Sequence, residues 1–323
     1  MNYDIIIVGA GPAGLSVAIE AQKSGVKYLV LEKGGIVNSI QNFPAEMSFF
    51  STPELLEIGG LPFSSAQMRP VRAEGLEYYT RVADFYKLKC NFFEPVTSIK
   101  KSGVNFLVQS AKFSYETKTV VLATGYYDNP NFLNIPGESL SKVSHYYDEP
   151  YSFYRQHVLV IGAKNSAAIA ALELYRHGAH VTLVHRGESL SDKIKYWIKP
   201  DIENRINEGA IKALFNTTVQ EIKETSAVLL NSYTERVEIE NDFVFALTGY
   251  HPDYDFLRSC GIELNGTDST PMQNSDTLET NISGLYVAGS IIAGKNNNSI
   301  FIENGRLHGK IIIDSIKQKI SSF

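Results

Sequence analysis

The chain has 323 residues, 44% hydrophobic and 20% charged, with a formal net charge of −5. That is the make-up of an ordinary globular protein with room for two domains, and its acidic balance argues against nucleic acid or an anionic membrane as the main partner. No run of about 18 apolar residues announces a membrane span, and Met1 leads almost at once into an apolar strand rather than a signal peptide, so a cytoplasmic protein is expected.

Residues 4–16, DIIIVGAGPAGLS, set an apolar strand, a glycine turn and a helix in succession. Gly9, Gly11 and Gly14 make the spacing G-x-G-x-x-G, with Pro12 and Ala13 inside it. The first glycine permits a tight turn, the second lets a pyrophosphate approach the backbone, and the third lets the helix pack on the strand. Free N–H groups at the helix start favour that negative charge. Gly25 ends the helix, and the strand KYLVLEK brings Glu32 to its end, 23 residues after Gly9, with Lys33 next. A carboxylate there can accept hydrogen bonds from ribose hydroxyls. Residues of about 90–125 then alternate like hairpins and close on TVVLATG, a strand ending in Ala123, Thr124 and Gly125.

A second strand–turn–helix–strand unit follows in HVLVIGAKNSAA (157–168), ended by Gly178 and continued by HVTLVHR. Offsets match Gly9, Gly11 and Gly14 to Gly162, Lys164 and Ala167, with Asn165 and Ser166 between the last two. Ala167 still permits close helix packing, while Lys164 trades the closest backbone approach for an ammonium. The offset that gives Glu32 in the first unit gives His185 here, followed by Arg186. Replacing the acid by a cation suits an adenosine carrying a 2′-phosphate, because arginine meets phosphate with a planar fork of donors. Lys193 and Lys195 lie close by in sequence. After another hairpin-like stretch, about 210–245, the strand GLYVAGS ends in Gly289 and Ser290. The stretch beyond it, NNNSIFIENGRLHGKIIIDSI, reads as one helix with Ser299 as its N-cap.

These segments together resemble the two-dinucleotide-domain, thioredoxin-reductase-like flavoproteins along essentially the whole chain. The resemblance implies an α/β fold of two Rossmann-like three-layer dinucleotide-binding domains, with the NADPH domain inserted into a discontinuous FAD domain. The expected boundaries are 1–128, 129–245 and 246–323. It also implies FAD contacts from the first turn (Gly9, Gly11, Pro12, Ala13, Gly14), from Glu32 and Lys33, and from Asn42, Val96, Ala123, Thr124, Gly125, Gly289, Ser290 and Ile300. Asn42 matches the Asn-aromatic-Pro segment that lies along FAD in such proteins, and Ser290 stands where they usually carry aspartate. NADPH would be held by Gly162, Lys164, Asn165, Ser166, Ala167, His185, Arg186 and Lys193. The helix after Ser299 would point its N-terminus at the flavin's pyrimidine edge, favouring the negative charge of the reduced ring.

The electron acceptor is not a dithiol of this chain. Only Cys90 and Cys260 are present, and residues 142–154, where thioredoxin reductases carry C-x-x-C, contain no cysteine. A closer resemblance, carried by NFPAEMSFFSTPELLEIGGLPF (42–63), RPVRAEGLEYY (69–79), ATGYYDNPN (123–131), ALTGYHPDYDFL (246–257) and IFIENGRLHG (300–309), is to the YpdA-type bacillithiol disulfide reductases. It implies NADPH-dependent reduction of a small disulfide through FAD by a cytoplasmic homo-oligomer, a homodimer or homotetramer. That family commonly has cysteine in its first turn where this chain has Ala13, so a mixed disulfide at that position is impossible. Either reduced flavin meets the disulfide without a protein thiol, or the substrate differs. His145 and His251 are candidate proton donors because imidazole titrates near neutrality, with a structural histidine as the alternative for each. Tyr126 and Tyr127 follow functional-looking turns, the acidic stretch 148–150 reads as a solvated turn, and no metal site is expected. Competing readings are a flavin monooxygenase, whose signature would need Phe and Gly where Ser139 and Ser141 stand, an NADP reductase for ferredoxin or flavodoxin, and a non-turnover flavin redox sensor.

Overall fold

The computed structural model describes residues 2–296 and 299–321. The chain forms two compact units, Met1–Asn129 with Tyr250–Phe323, and Pro130–Gly249. The first is therefore discontinuous and the second is inserted into it. The return to the first unit falls after Gly249 rather than at 246, because Leu247 still donates its N–H to the Ile161 carbonyl, 2.9 Å, inside the second unit.

In chain order the first unit contributes β1 (Asn2–Val8), α1 (Pro12–Lys23), β2 (Tyr28–Leu31), α2 (Asn38–Gln41), α3 (Pro53–Leu56) and α4 (Arg72–Tyr86), then β3 (Cys90–Asn91), β4 (Val96–Ser102), β5 (Asn105–Ser110) and β6 (Ser114–Leu122). β1 lies in the middle of the sheet, parallel to both β2 and β6. Its apolar run is continuous because both faces are covered. Ile5 and Ile7 enter one core with Leu15, Ile19, Tyr79 and Ile312, while Ile6 and Val8 enter another with Leu29, Val108 and Leu257. Helices thus cover one face and the antiparallel β4–β5–β6 meander the other.

The second unit holds β7 (Val143–Ser144), β8 (His157–Ile161), α5 (Asn165–Arg176), β9 (His180–Val184), α6 (Lys199–Asn207), β10 (Lys212–Leu214), β11 (Thr217–Ile222), β12 (Ser226–Asn231), β13 (Arg236–Glu240) and β14 (Phe243–Ala246). Its parallel sheet runs β10-β9-β8-β14-β7, and β11–β13 form a separate antiparallel sheet. The stretch expected to alternate throughout as hairpins is therefore divided, its two ends joining the parallel sheet. Back in the first unit come α7 (Tyr254–Ser259), β15 (Leu285–Val287), α8 (Ile302–Gly305) and α9 (His308–Ser321). β15 pairs in parallel with the second half of β6, Val120 to Leu285, whereas the first half of β6 pairs antiparallel with β5. No helix among the described residues is long and apolar enough to cross a membrane.

The final helix departs from the sequence reading. It is broken into α8 and α9, and Ser299 is not its N-cap. Phe301 occupies the capping position, and its N–H donates 2.8 Å to Oδ1 of Asn304. Ser299 instead donates its hydroxyl to the Asn296 carbonyl, and its own carbonyl accepts from Nδ2 of Asn304. The amide of Asn304 offers both a donor and an acceptor and so ties the turn from inside. Asn297 and Asn298, part of the same reading, lie outside the described residues.

Candidate functional site

In the first unit the carboxyl ends of β1, β6 and β15 gather the glycine turns. Gly9 has φ +107°, and a Cβ there would lie 2.5 Å from the Ala123 carbonyl oxygen. A Cβ on Gly14 would land on the Gly9 carbonyl, so the helix approaches the turn as closely as backbone allows. Gly11 is different. Its backbone is extended, φ −71°, a conformation open to any residue, and a Cβ would meet nothing within 4 Å. Nothing in the chain itself requires glycine at this position, and the bare backbone faces open space ahead of α1, where Pro12 takes the first helical position. A pyrophosphate approaching the helix start fits that space.

Glu32 is 6% exposed just past β2. One carboxylate oxygen accepts the Ala10 N–H at 2.7 Å, the other the Gly34 N–H at 2.9 Å. Each oxygen keeps a second lone pair, so the group is fixed in place yet able to accept from a ribose. Lys33 pairs with Asp128 at 2.8 Å, and that pair is half exposed. Asn42 is exposed and ends α2, its Nδ2 donating to the Asn38 carbonyl and its own carbonyl accepting from Tyr127 Oη at 3.1 Å. Val96 opens β4, half buried against the meander core.

Gly125 (φ +68°) and Ser290 adjoin, the Ser290 hydroxyl lying 3.7 Å from where a Gly125 Cβ would stand. A Cβ on Gly289 (φ +74°) would reach to 2.7 Å from that of Ala13. Thr124 joins these turns and is half buried, as is Ile300 ahead of α8. The structure thus brings Gly9, Ala13, Gly14, Ala123, Gly125, Gly289 and Ser290 together.

One residue here was missed. His308, at the start of α9, is 8% exposed and accepts the Gly289 N–H on Nδ1 at 3.0 Å. The ring is therefore neutral with its proton on Nε2, and burial holds its pKa below the ordinary value. No local sequence signal marks it, because its partner lies 19 residues upstream.

In the second unit, Gly162 (φ +141°) is barred from a side chain by the Leu247 carbonyl, 2.5 Å from its would-be Cβ. Lys164 is exposed at the N-cap of α5, in extended conformation, with Ser166 exposed behind it and Ala167 buried. His185 is clamped by its backbone between Leu214 and Thr217, and burial together with the charges of Arg186 and Lys164 holds its pKa down. His185 therefore feels the charge of both basic side chains. Asn165 bridges α5 to the next loop, Nδ2 donating to the Lys193 carbonyl at 3.2 Å and Oδ1 accepting from the Lys195 N–H at 2.9 Å. Its side chain therefore shapes the loop bearing Lys193. Arg186 and Lys193 are exposed.

The two candidate histidines have structural partners. His145 Nε2 lies 3.4 Å from Glu138, whose carboxylate also accepts the Leu133 and Asn134 N–H groups. His251 Nδ1 lies 2.7 Å from the Pro252 carbonyl, and its ring stacks on Tyr254 at 5.1 Å. Tyr127 packs against Phe43 and Tyr250, and Tyr126 is held above its ordinary pKa by burial. Both cysteines are half buried. Burial, reinforced by Glu32, pushes the Cys90 thiol up to about 12, and burial pushes Cys260 to about 11. Neither is a thiolate at neutral pH, so neither is a ready nucleophile.

The comparisons with known proteins agree with this architecture. The family profile described as pyridine nucleotide-disulphide oxidoreductase matches residues 6–289. The chain is 44% identical over 315 residues to bacilliredoxin reductase Bdr of Bacillus subtilis, covering 97% of each chain. The solved structure titled bacillithiol disulfide reductase Bdr (YpdA) from Bacillus cereus is 44% identical with a TM-score of 0.97, covering 99% of this chain and 100% of that one. That of Staphylococcus aureus is 43% identical with a TM-score of 0.96, covering 99% of both. The chain accordingly belongs to the pyridine nucleotide-disulphide oxidoreductase family, in its YpdA-type, thioredoxin-reductase-like branch, and is a flavoprotein enzyme that works with FAD and NADPH.

Proposed function

We propose that the protein reduces a small-molecule disulfide of the bacillithiol type with electrons from NADPH, in the balance NADPH, a proton and one disulfide giving NADP⁺ and two thiols. The observation that carries this reading is the full-length likeness to the Bdr proteins. FAD, when bound, supplies a two-electron relay between nicotinamide and disulfide. The residues of this chain hold and orient. The bare Gly11 backbone and the start of α1 receive the FAD pyrophosphate, and Glu32 receives its ribose. Lys164, His185, Arg186 and Lys193 receive the phosphates of NADPH. Gly125, Gly289 and Ser290 line the far end of the FAD site, next to Ala13. With alanine at position 13 and both cysteines protonated, no protein thiolate takes part. On this reading the acceptor is a disulfide small enough to reach the flavin itself, and the working form is a cytoplasmic homo-oligomer.

The test is anaerobic. The yellow holoenzyme is reduced with one equivalent of NADPH and mixed with bacillithiol disulfide while the flavin band is followed. Reoxidation at about 1–10³ s⁻¹, the span of ordinary turnover, is expected. A flavin that stays reduced until air or a protein carrier is admitted would overturn the assignment and favour oxygenation or electron transfer to a protein.

A further inference from the structure

Behind the Glu32 turn lies a buried carboxylate that none of the chemistry above uses. Glu94 is 2% exposed. Its Oε1 accepts from Ser110 Oγ and from Tyr115 Oη, each at 2.6 Å, and its Oε2 accepts from Asn91 Nδ2 at 3.0 Å. Burial alone would raise its pKa, but those three bonds outweigh it and leave the carboxyl below its ordinary value. It is ionised, satisfied and away from solvent.

The main chain around it is paired to the Glu32 turn. Glu32 donates its N–H to the Asn91 carbonyl at 2.9 Å, Glu94 donates to the Glu32 carbonyl at 2.8 Å, and Phe93 donates to the Gly34 carbonyl at 3.0 Å. Between these bonds Phe93 is held at φ +52° and is 69% exposed. Bulky residues avoid that region, and they stay there only where the surroundings over-determine the backbone. Here the over-determination comes from the three main-chain bonds in front and the Glu94 side chain behind, which ties the segment to β5 and β6. A buried carboxylate is a poor way to gain stability compared with an apolar side chain, and its best-attested use is to fix a geometry.

We propose that Glu94 is a positioning residue for FAD: through the segment Asn91–Glu94 its carboxylate holds the Glu32 turn in the one geometry that receives the adenosine ribose. This rests on the reading of Glu32 as the ribose acceptor.

The experiment compares FAD release from the holoenzymes of wild type, Glu94→Gln, Tyr115→Phe, Glu32→Gln and the double variant Glu32→Gln/Glu94→Gln. Release is read from the rise of flavin fluorescence on dilution, with NADPH affinity and the circular dichroism spectrum measured beside it. Glu94→Gln is expected to release FAD about tenfold faster, the scale of one hydrogen bond to a charged group, and Tyr115→Phe by a smaller factor in the same direction. The double variant is expected to match Glu32→Gln alone, because both act through one contact. NADPH affinity and secondary structure stay unchanged. Wild-type release from Glu94→Gln, or additive effects in the double variant, would overturn the proposal while leaving Glu32 in its role. Wild-type release from Glu32→Gln would instead remove the ribose reading and the proposal with it. Should Glu94→Gln fail to fold, Tyr115→Phe decides, and wild-type release from it counts against the proposal.

Discussion

The two strand–turn–helix units share a plan and differ at two of three positions, and each difference has its own cause. The first position is glycine in both, and for the same reason. A side chain on Gly9 or on Gly162 would lie 2.5 Å from a carbonyl oxygen of a neighbouring strand end, Ala123 or Leu247. At the third position the units part. Gly14 cannot take a Cβ without striking the Gly9 carbonyl, whereas Ala167 carries one, 3.1 Å from where a Gly162 Cβ would stand. α1 is therefore packed more tightly on its turn than α5. The second position is not set by the protein at all. Gly11 faces empty space, and Lys164 occupies the matching place in extended backbone without strain. On the function proposed above, the two differ in the ligand each would admit: a pyrophosphate against bare backbone in one, a phosphate met by an ammonium in the other.

The sharpest way to break this comparison is to exchange the third positions. Gly14→Ala should cost about 1–3 kcal/mol by overpacking and empty the FAD site, seen as a colourless protein with a lowered melting temperature. The reverse change, Ala167→Gly, should cost only about 0.5–1 kcal/mol of helix propensity and leave flavin content intact. Equal losses from the two would show that the turns are packed alike. Next in size is Arg186→Ala. Removing a charge-assisted phosphate contact should raise the KM for NADPH about tenfold or more, with KM for NADH and flavin content unchanged. A parallel rise for NADH would take Arg186 away from the 2′-phosphate. Lys164→Gly, which restores the glycine of the first unit, should change the NADPH KM by no more than a few fold, because an ammonium meets phosphate as a screened point charge without the paired donors of a guanidinium.

The smallest expected effect concerns pH. His308 is held neutral by burial, so its folded pKa lies below the ordinary 6.5 and the unfolded chain binds the proton more readily. The stability it allows is fully present above that ordinary value and is lost as pH falls from there through the lower folded one. Thermal melting of the wild type should decline over this acid window, and His308→Gln, which keeps an acceptor for the Gly289 N–H, should decline less. Identical slopes would remove His308 as the source.

Much of the fold was legible from the chain. The apolar runs at 5–8 and 158–161 become central parallel strands because a strand covered on both faces needs no polar alternation. The hairpin-like stretches were harder, since short strands such as Cys90–Asn91 and Lys212–Leu214 carry too few residues to show whether their neighbour runs parallel or antiparallel. Ser299 misled because serine is a favoured cap, and only the folded loop shows Asn304 reaching both ways around it.

Taken alone, the sequence determined the duplicated dinucleotide-binding plan, the acid in the first unit and the cations in the second, and the lack of a dithiol. These are properties of residue type at fixed spacing along a single strand and turn, where covalent geometry sets the neighbours. Tertiary structure alone decided what stands behind the sites. Glu94 against Ser110 and Tyr115, His308 beneath Gly289, and the barrier that Ala123 raises over Gly9 each join residues from separate strands or helices. No spacing encodes such contacts, because they exist only once the sheets have paired and the helices have packed.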